Sequence, residues 1–364
     1  MAHRITLIPG DGVGPEIVEA GRRTVEATGV RPEWDVQDMG ARAFERTGRV
    51  VPPKAVSSIR ERGVALKGPI ETPDGADVRN GNVALRRELD LYANVRPCRL
   101  YPGVPSLYEE VDLVVVRENT EDVYTGIEFE VGTVEVKELI GFIEGSTGVR
   151  LRPDSGVSIK SISWEGSERI ARFAFDEARR RHRAKVTAAH KANIMKLSDG
   201  LFLEVARRVA EQYPDVLFED RIIDALCMQL VQSPGSFDVL VLPNLYGDIV
   251  SELGAGLIGG TGMAPGGHVG DEAAVFEATH GTAPELTGRD RANPAGLLLS
   301  AAMLLRHLGE REAGDRLEAA IAGVLAEGTQ VTPDLRAAGD DRPAVGTARM
   351  ADAVIERLGG ASVA

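Results

Sequence analysis

The chain has 364 residues, 43% of them hydrophobic, which is enough for a substantial core and roughly two domains. Its formal net charge of −13 disfavours nucleic acid or an anionic membrane as a non-specific partner, but leaves room for an anionic substrate at a local arginine cluster. Two cysteines, Cys98 and Cys227, argue against a disulfide scaffold. No signal-peptide pattern opens the chain, and the longest apolar run, 297–305, is about half a membrane span, so the expectation is a soluble cytoplasmic protein.

Residues 4–9 predict a buried strand, followed by the turn Gly10-Asp-Gly12-Val-Gly14 and then Pro15 at the first position of a helix. Strand, glycine turn and helix open an α/β unit, but glycines at 10, 12 and 14 do not match G-x-G-x-x-G. A tight turn explains them as well as a dinucleotide-phosphate loop does. Short apolar runs at 63–67, 113–116, 185–189 and 239–242 alternate with amphipathic helices such as 166–180 and 199–213, and predict strands covered on both faces. Residues 126–160 differ. Their alternation, as in Gly132-Thr-Val-Glu-Val-Lys-Glu-Leu139, predicts a hairpin-like β-arm that projects and pairs with another subunit, or else a surface loop.

Candidate chemistry appears along the same path. Residues 82–90 predict a helix carrying Arg86, residues 92–97 a strand carrying Arg96, and Arg117 ends the hydrophobic run 113–116. A guanidinium at the end of a buried strand is costly unless paired, and three converging arginines suit a di- or tricarboxylate; pairing with Glu88, Asp90 or Glu118 is the plainer alternative. Tyr124 and Lys191 are candidates for proton transfer, and Asp224 is a carboxylate following a short apolar run. In Asn244-Leu-Tyr-Gly-Asp248-Ile-Val-Ser-Glu252, Asp248 is placed where a helix would begin and Glu252 one turn on. They are either an N-cap and a solvated residue, or half of a hard-cation site for Mg²⁺ or Mn²⁺. At 270–285 a strand gives way to a polar turn, where Glu285 beside an adenosine ribose would repel a 2′-phosphate and favour NAD over NADP.

Six motifs in order carry a resemblance: Pro9-Gly-Asp-Gly-Val-Gly-Pro-Glu16, Arg86 through Arg96, Val116-Arg-Glu-Asn-Thr-Glu121, His190-Lys-Ala-Asn-Ile-Met195, Asn244-Leu-Tyr-Gly-Asp248, and Glu277-Ala-Thr-His-Gly-Thr-Ala-Pro284 followed by Asn293-Pro294. With them the chain resembles the β-decarboxylating dehydrogenases, the isocitrate/isopropylmalate dehydrogenase family, and most of all its NAD-dependent isocitrate members. The resemblance implies that family's two-domain α/β fold, distinct from the Rossmann fold. A large cofactor domain would comprise residues 1–98 and 258–364. A small domain, 99–257, would carry the arm at 126–160.

It also implies roles. Arg86, Arg96 and Arg117, with Asn80, Asn82 and Asn193, match substrate-binding positions. Tyr124 matches the proton donor to the enolate, and Lys191 the residue assisting deprotonation of the C2 hydroxyl. Asp224, Asp248 and Glu252 match metal ligands, Glu252 being one methylene longer than the usual Asp. Thr72, His280, Gly281, Thr282, Ala283, Pro284, Glu285, Leu286 and Asn293 match NAD-binding positions. Lys191 and Asp224 would reach the site from the partner of a homodimer. The implied reaction is oxidative decarboxylation of isocitrate to 2-oxoglutarate and CO₂, a tricarboxylic acid cycle step. Homoisocitrate, 3-isopropylmalate or another 3-substituted malate, including a phosphonate analogue, is the alternative, because Asn80 departs from the common isocitrate pattern. A catalytically inactive regulatory subunit is a third reading, set against the presence of Tyr124, Lys191, Asp224 and Asp248.

Overall fold

A computed structural model of the chain describes residues 3–336 and 339–360. Among these, the short β-branched runs become strands β1 (His3–Ile8), β2 (Pro32–Val36), β3 (Val64–Lys67), β4 (Ala93–Arg99), β5 (Asp112–Glu118), β6 (Glu128–Phe129), β7 (Val157–Ser158), β8 (Lys185–His190), β9 (Leu217–Ile222), β10 (Val239–Leu242), β11 (Pro265–Val269) and β12 (Ala274–Ala278). The amphipathic segments become helices α1 (Gly14–Ala27), α2 (Ala41–Thr47), α3 (Pro53–Arg62), α4 (Gly81–Glu88), α5 (Val134–Thr147), α6 (Trp164–Arg180), α7 (Ser198–Ala210), α8 (Ile223–Gln232), α9 (Asn244–Leu257), α10 (Ala295–His307), α11 (Arg311–Glu327) and α12 (Thr347–Gly360).

Ten strands form one sheet in the order β2-β1-β3-β12-β11-β4-β5-β10-β8-β9. Two parallel wings, β2-β1-β3-β12 and β5-β10-β8-β9, meet through antiparallel β11 and β4. Buried on both faces, β10 reads as a continuous apolar run, and so do β3 and β12 apart from Lys67 and Glu277, as strands between two helical layers tend to. The expected domain boundary at 98/99 falls inside β4, a strand of the ten-stranded sheet, and that at 257/258 falls at the end of α9. The apolar run 297–305 lies in α10, which packs on β11, β12, α1 and α11. No helix among the described residues is long and apolar enough to cross a membrane.

Two expectations need correction here. The β-arm is a strand pair around a helix: β6 and β7 pair over only Glu128↔Ser158 and Phe129↔Val157, and the 14-residue α5 lies between them. Thr133 caps α5 by accepting a hydrogen bond from the Val136 N–H, and Gly148 (φ 73°) closes it in the left-handed region. Asp248 is not an N-cap, because α9 begins at Asn244 straight out of β10 and Pro243, putting Asp248 in its second turn.

Candidate active site

The antiparallel register of β4 and β5 sets Arg96 opposite Val115 and Arg117 opposite Asn94, so both arginines leave the same face of the sheet, towards α9. The facing helix presents Asn244, Asp248, Ser251 and Glu252 at i, i+4, i+7 and i+8, one stripe of its surface. Arg117, 1% exposed, donates from Nε and Nη2 to Asn244 Oδ1 at 3.0 and 2.7 Å, and from Nη1 to Asp248 Oδ1. Arg96 donates to Ser251 Oγ at 2.5 Å and lies 3.4 Å from Glu252 and 3.8 Å from Asp248. The Tyr124 hydroxyl donates to Asp248 Oδ2 at 2.5 Å, and its ring lies 4.8 Å from the Arg117 guanidinium. Gly247 makes this approach possible: a Cβ there would come within 2.5 Å of Arg117 Cγ.

Arg86, on α4, has no hydrogen bond or ion pair among the described residues, unlike the other two. Burial and the neighbouring Arg117 push its guanidinium down to about 10, so it stays charged at neutral pH. It lines a cavity of about 120 Å³ together with Asn82, Arg96, His268, Glu277 and His280. Arg86 Nε, Arg96 Nε, Asn82 Oδ1, Thr279 Oγ1 and His280 Nε2 are all buried without a hydrogen-bond partner. Buried polar groups are normally satisfied, so this concentration of orphans marks a place shaped for a polar ligand.

Burial favours the neutral form of Asp248, but Arg117, the Tyr124 hydrogen bond, Arg96 and Arg86 outweigh it and hold the carboxyl below its usual range. Burial and the bond to Asp248 push the Tyr124 phenol up, so it keeps its proton at neutral pH. Asp248 and Glu252, oxygen donors one helical turn apart, have the chemistry of a hard divalent-cation site. Yet no group of three Asp, Glu, His or Cys is arranged to hold a metal among the described residues. Asp224 lies elsewhere, on α8, 67% exposed and ion-paired to Lys191. Lys191, Asp224 and the exposed Asn193 make no hydrogen bond or ion pair with the arginine cluster. They sit in a region with exposed Ile194, Leu197, Met228 and Val231.

One buried group went unread in the sequence. Lys67 pairs with Glu277, whose Oε1 is 2.8 Å from His268 Nε2, and His268 Nδ1 is 3.2 Å from Asn119 Nδ2. Burial and Arg86 push His268 down to about 3, so it is neutral. Three strands supply this row, aligned by the pairings β3–β12 and β11–β12, and no local motif betrays it.

The second groove lies on the far side of His280 and Gly281, which line both spaces. Its volume is about 450 Å³, and Ala283, Leu286 and Asn293 line it, joined by Val13, Arg291 and Asp334, which sequence reasoning missed. The glycine turn braces this loop: the Val13 N–H donates to Thr282 O at 2.9 Å, and Gly12 (φ 59°) lies so close that a Cβ would strike that carbonyl. Tight backbone approach therefore explains these glycines. Pro284, Glu285 and Leu286 form a short 3₁₀ turn, in which Glu285 is exposed. Thr72 Oγ1 accepts from Gly81 N at 2.9 Å, and Asn80 Oδ1 caps α4 by accepting from Val83 N at 3.1 Å, which leaves the Asn80 amide nitrogen free to donate to a ligand.

A model of the isocitrate/isopropylmalate dehydrogenase family matches residues 4–354. The chain is 45% identical over 332 residues to a probable isocitrate dehydrogenase [NAD] subunit alpha, mitochondrial, of Drosophila melanogaster, covering 91% of this chain and 83% of that one. It is 44% identical to the human isocitrate dehydrogenase [NAD] subunit alpha, mitochondrial, with 91% and 85% covered. The crystal structure of isocitrate dehydrogenase from Methylococcus capsulatus superposes with a TM-score of 0.88 at 47% identity, over 98% of this chain and 99% of that one. The expectation of a cytoplasmic protein is overturned by the curated relatives, which are named as mitochondrial.

Proposed function

The chain belongs to the isocitrate/isopropylmalate dehydrogenase family, and we propose that it catalyses the NAD-dependent, divalent-metal-dependent oxidative decarboxylation of isocitrate to 2-oxoglutarate and CO₂. The observation that carries this reading is the unpaired Arg86, facing a cavity of orphaned polar atoms beside Arg96, Arg117 and the carboxylates of α9.

Arg86, Arg96 and Arg117 bind the substrate carboxylates, and their fork geometry fixes the orientation of C2 and C3. Asp248 and Glu252, with Asp224 from a second copy of the chain, would hold Mg²⁺ or Mn²⁺. When bound, that cation would supply Lewis-acid polarisation of the C2 oxygen, and NAD would supply the hydride acceptor facing C2. Lys191 assists removal of the C2 hydroxyl proton. Tyr124, protonated at neutral pH and placed beside Asp248, delivers its proton to the C3 enolate carbon left by CO₂ loss. The groove beyond His280 takes the adenosine end of NAD.

The separation of Lys191 and Asp224 from the arginine cluster, with apolar residues exposed around them, supports a homodimer whose sites are completed by the partner. The relatives' names as subunits make a mixed assembly the competing arrangement. The test is the purified chain alone with NAD⁺ and Mn²⁺, offered isocitrate, homoisocitrate, 3-isopropylmalate and malate. Isocitrate-dependent NADH formation that chelation abolishes is expected. Inactivity with every substrate overturns the reading, and preference for another malate moves the specificity to the Asn80–Asn82 end.

A further inference from the structure

A buried cation outside the arginine cluster ties the two halves of the proposed chemistry together within one chain. Lys160 Nζ lies 3.1 Å from Asp122 Oδ1 and 3.3 Å from Asp199 Oδ1, and both aspartates are fully buried. Its ammonium also sits 4.7 Å from the ring centre of Tyr246. Neither carboxylate contact is an aligned hydrogen bond, so the hold is electrostatic and stronger for being out of water.

Each aspartate positions a different element. Asp122, at φ 68° in the left-handed region, opens the 3₁₀ turn that carries Tyr124 two residues on, and its Oδ2 accepts from Leu245 N at the start of α9. Asp199, at the start of α7, accepts the backbone N–H of Lys191 on Oδ2 at 2.7 Å. Lys160 thus joins the turn and helix that present Tyr124 and Asp248 to the loop that presents Lys191. Without it, two buried carboxylates would face each other unscreened.

We infer that Lys160 is a positioning residue that sets Tyr124 and Lys191 from a single point. This rests on the proposed reading in which a protomer gives Tyr124 to its own site and Lys191 to its partner's. In that dimer each Lys160 aligns two different active sites.

The test uses Lys160→Met in the full-length protein, which keeps the stem and removes the charge. A fall in kcat of about tenfold to a hundredfold is expected, with the isocitrate KM within about twofold, because the arginines are untouched. Lys160→Arg should restore much of the rate. Should Lys160→Met yield little folded dimer, Lys160→Gln takes its place with the same reading. A second arm uses differently tagged subunits. A hybrid of Tyr124→Phe and Lys191→Met chains should retain one live site. Adding Lys160→Met to the Tyr124→Phe chain loosens the lysine end of that site; adding it to the Lys191→Met chain loosens the tyrosine end. Both placements should slow the hybrid. A slowing from one placement only, or from neither, overturns the inference. A dead parent hybrid overturns the shared-site reading instead, and the kcat-against-KM split of Lys160→Met then still judges the positioning role: an unchanged kcat refutes it.

Discussion

Replacing Arg86 by Met should move stability and activity in opposite directions. The guanidinium is displaced from its ordinary 12.5 to about 10 by burial and by Arg117, which corresponds to about 3 kcal/mol of penalty on the charged form. Because the charged state is disfavoured in the fold at every pH below that range, removing it relieves the penalty at neutral pH. Partial exposure discounts this to about 1–2 kcal/mol. Unfolding entropy of about 2.1 cal/mol/K per residue over a chain of this length converts it to a rise in Tm of about 1–3 °C for the ligand-free protein. Methionine also fills the guanidinium's stem volume without adding an unsatisfied donor. Substrate binding loses a charge-assisted, bidentate contact worth about 3 kcal/mol, so KM for isocitrate should rise about a hundredfold or more. Differential scanning fluorimetry without ligand and steady-state kinetics measure the two sides. A Tm that falls by several degrees would show that Arg86 has a partner in the free protein. An unchanged KM would remove it from the substrate site.

Asp248→Asn should lower kcat/KM far more than Glu252→Gln, since Asp248 is held by Arg117 and Tyr124 while Glu252 touches only Arg96 at 3.4 Å; equal losses in Mn²⁺-dependent NADH formation would contradict this. NAD should be preferred over NADP by about a hundredfold, the Coulombic effect of about 3 kcal/mol expected from Glu285 beside a 2′-phosphate, and Glu285→Lys should narrow the gap. Comparable kcat/KM with NADP would mean that Arg291, in the same groove, meets the 2′ position instead. His268 binds a proton below its ordinary 6.5 in the unfolded chain but only near 3 when folded, so stability should fall as pH drops through that window, by about 1.4 kcal/mol per pH unit. Glu277, held low against its burial by Lys67 and His268, adds a loss of the same sign in the carboxylate range. His268→Asn should flatten the change in urea midpoint between about pH 7 and pH 5, and an unaltered slope would refute the assignment.

How much the sequence disclosed depended on whether a signal was local. The strand–turn–helix opening, the arginines on β4, β5 and α4, and the Asn244–Glu252 stripe were legible because each lies within one element or its exit. The misreading of α5 came from Val134 and Val136 alternating with charges, which fits a period of two over a few residues. Thr133 as an N-cap and Gly148 as a terminator were the signals that should have outweighed it. Asp248 looked like a cap because asparagine, glycine and aspartate mark turns, yet here the chain enters the helix directly from the strand. The Lys67–Glu277–His268 row and the Lys160 bridge depend on residues brought together by sheet register or by loops far apart in sequence, and no spacing rule reports them.

Gly247 carries an implication for lineage. A glycine inside a helix is an expense of about 1 kcal/mol relative to alanine, so helix propensity does not account for it. An alanine there would meet Arg117 Cγ at 2.5 Å and Cβ at 2.6 Å, atoms anchored to the central strand β5, so the clash outweighs the gain in helix propensity. A duplicated copy freed from catalytic selection should therefore still keep Gly247 for as long as it keeps this fold, because the packing constraint outlives turnover. Position 247 therefore reports on the packing of α9 against β5 rather than on whether a subunit turns over substrate.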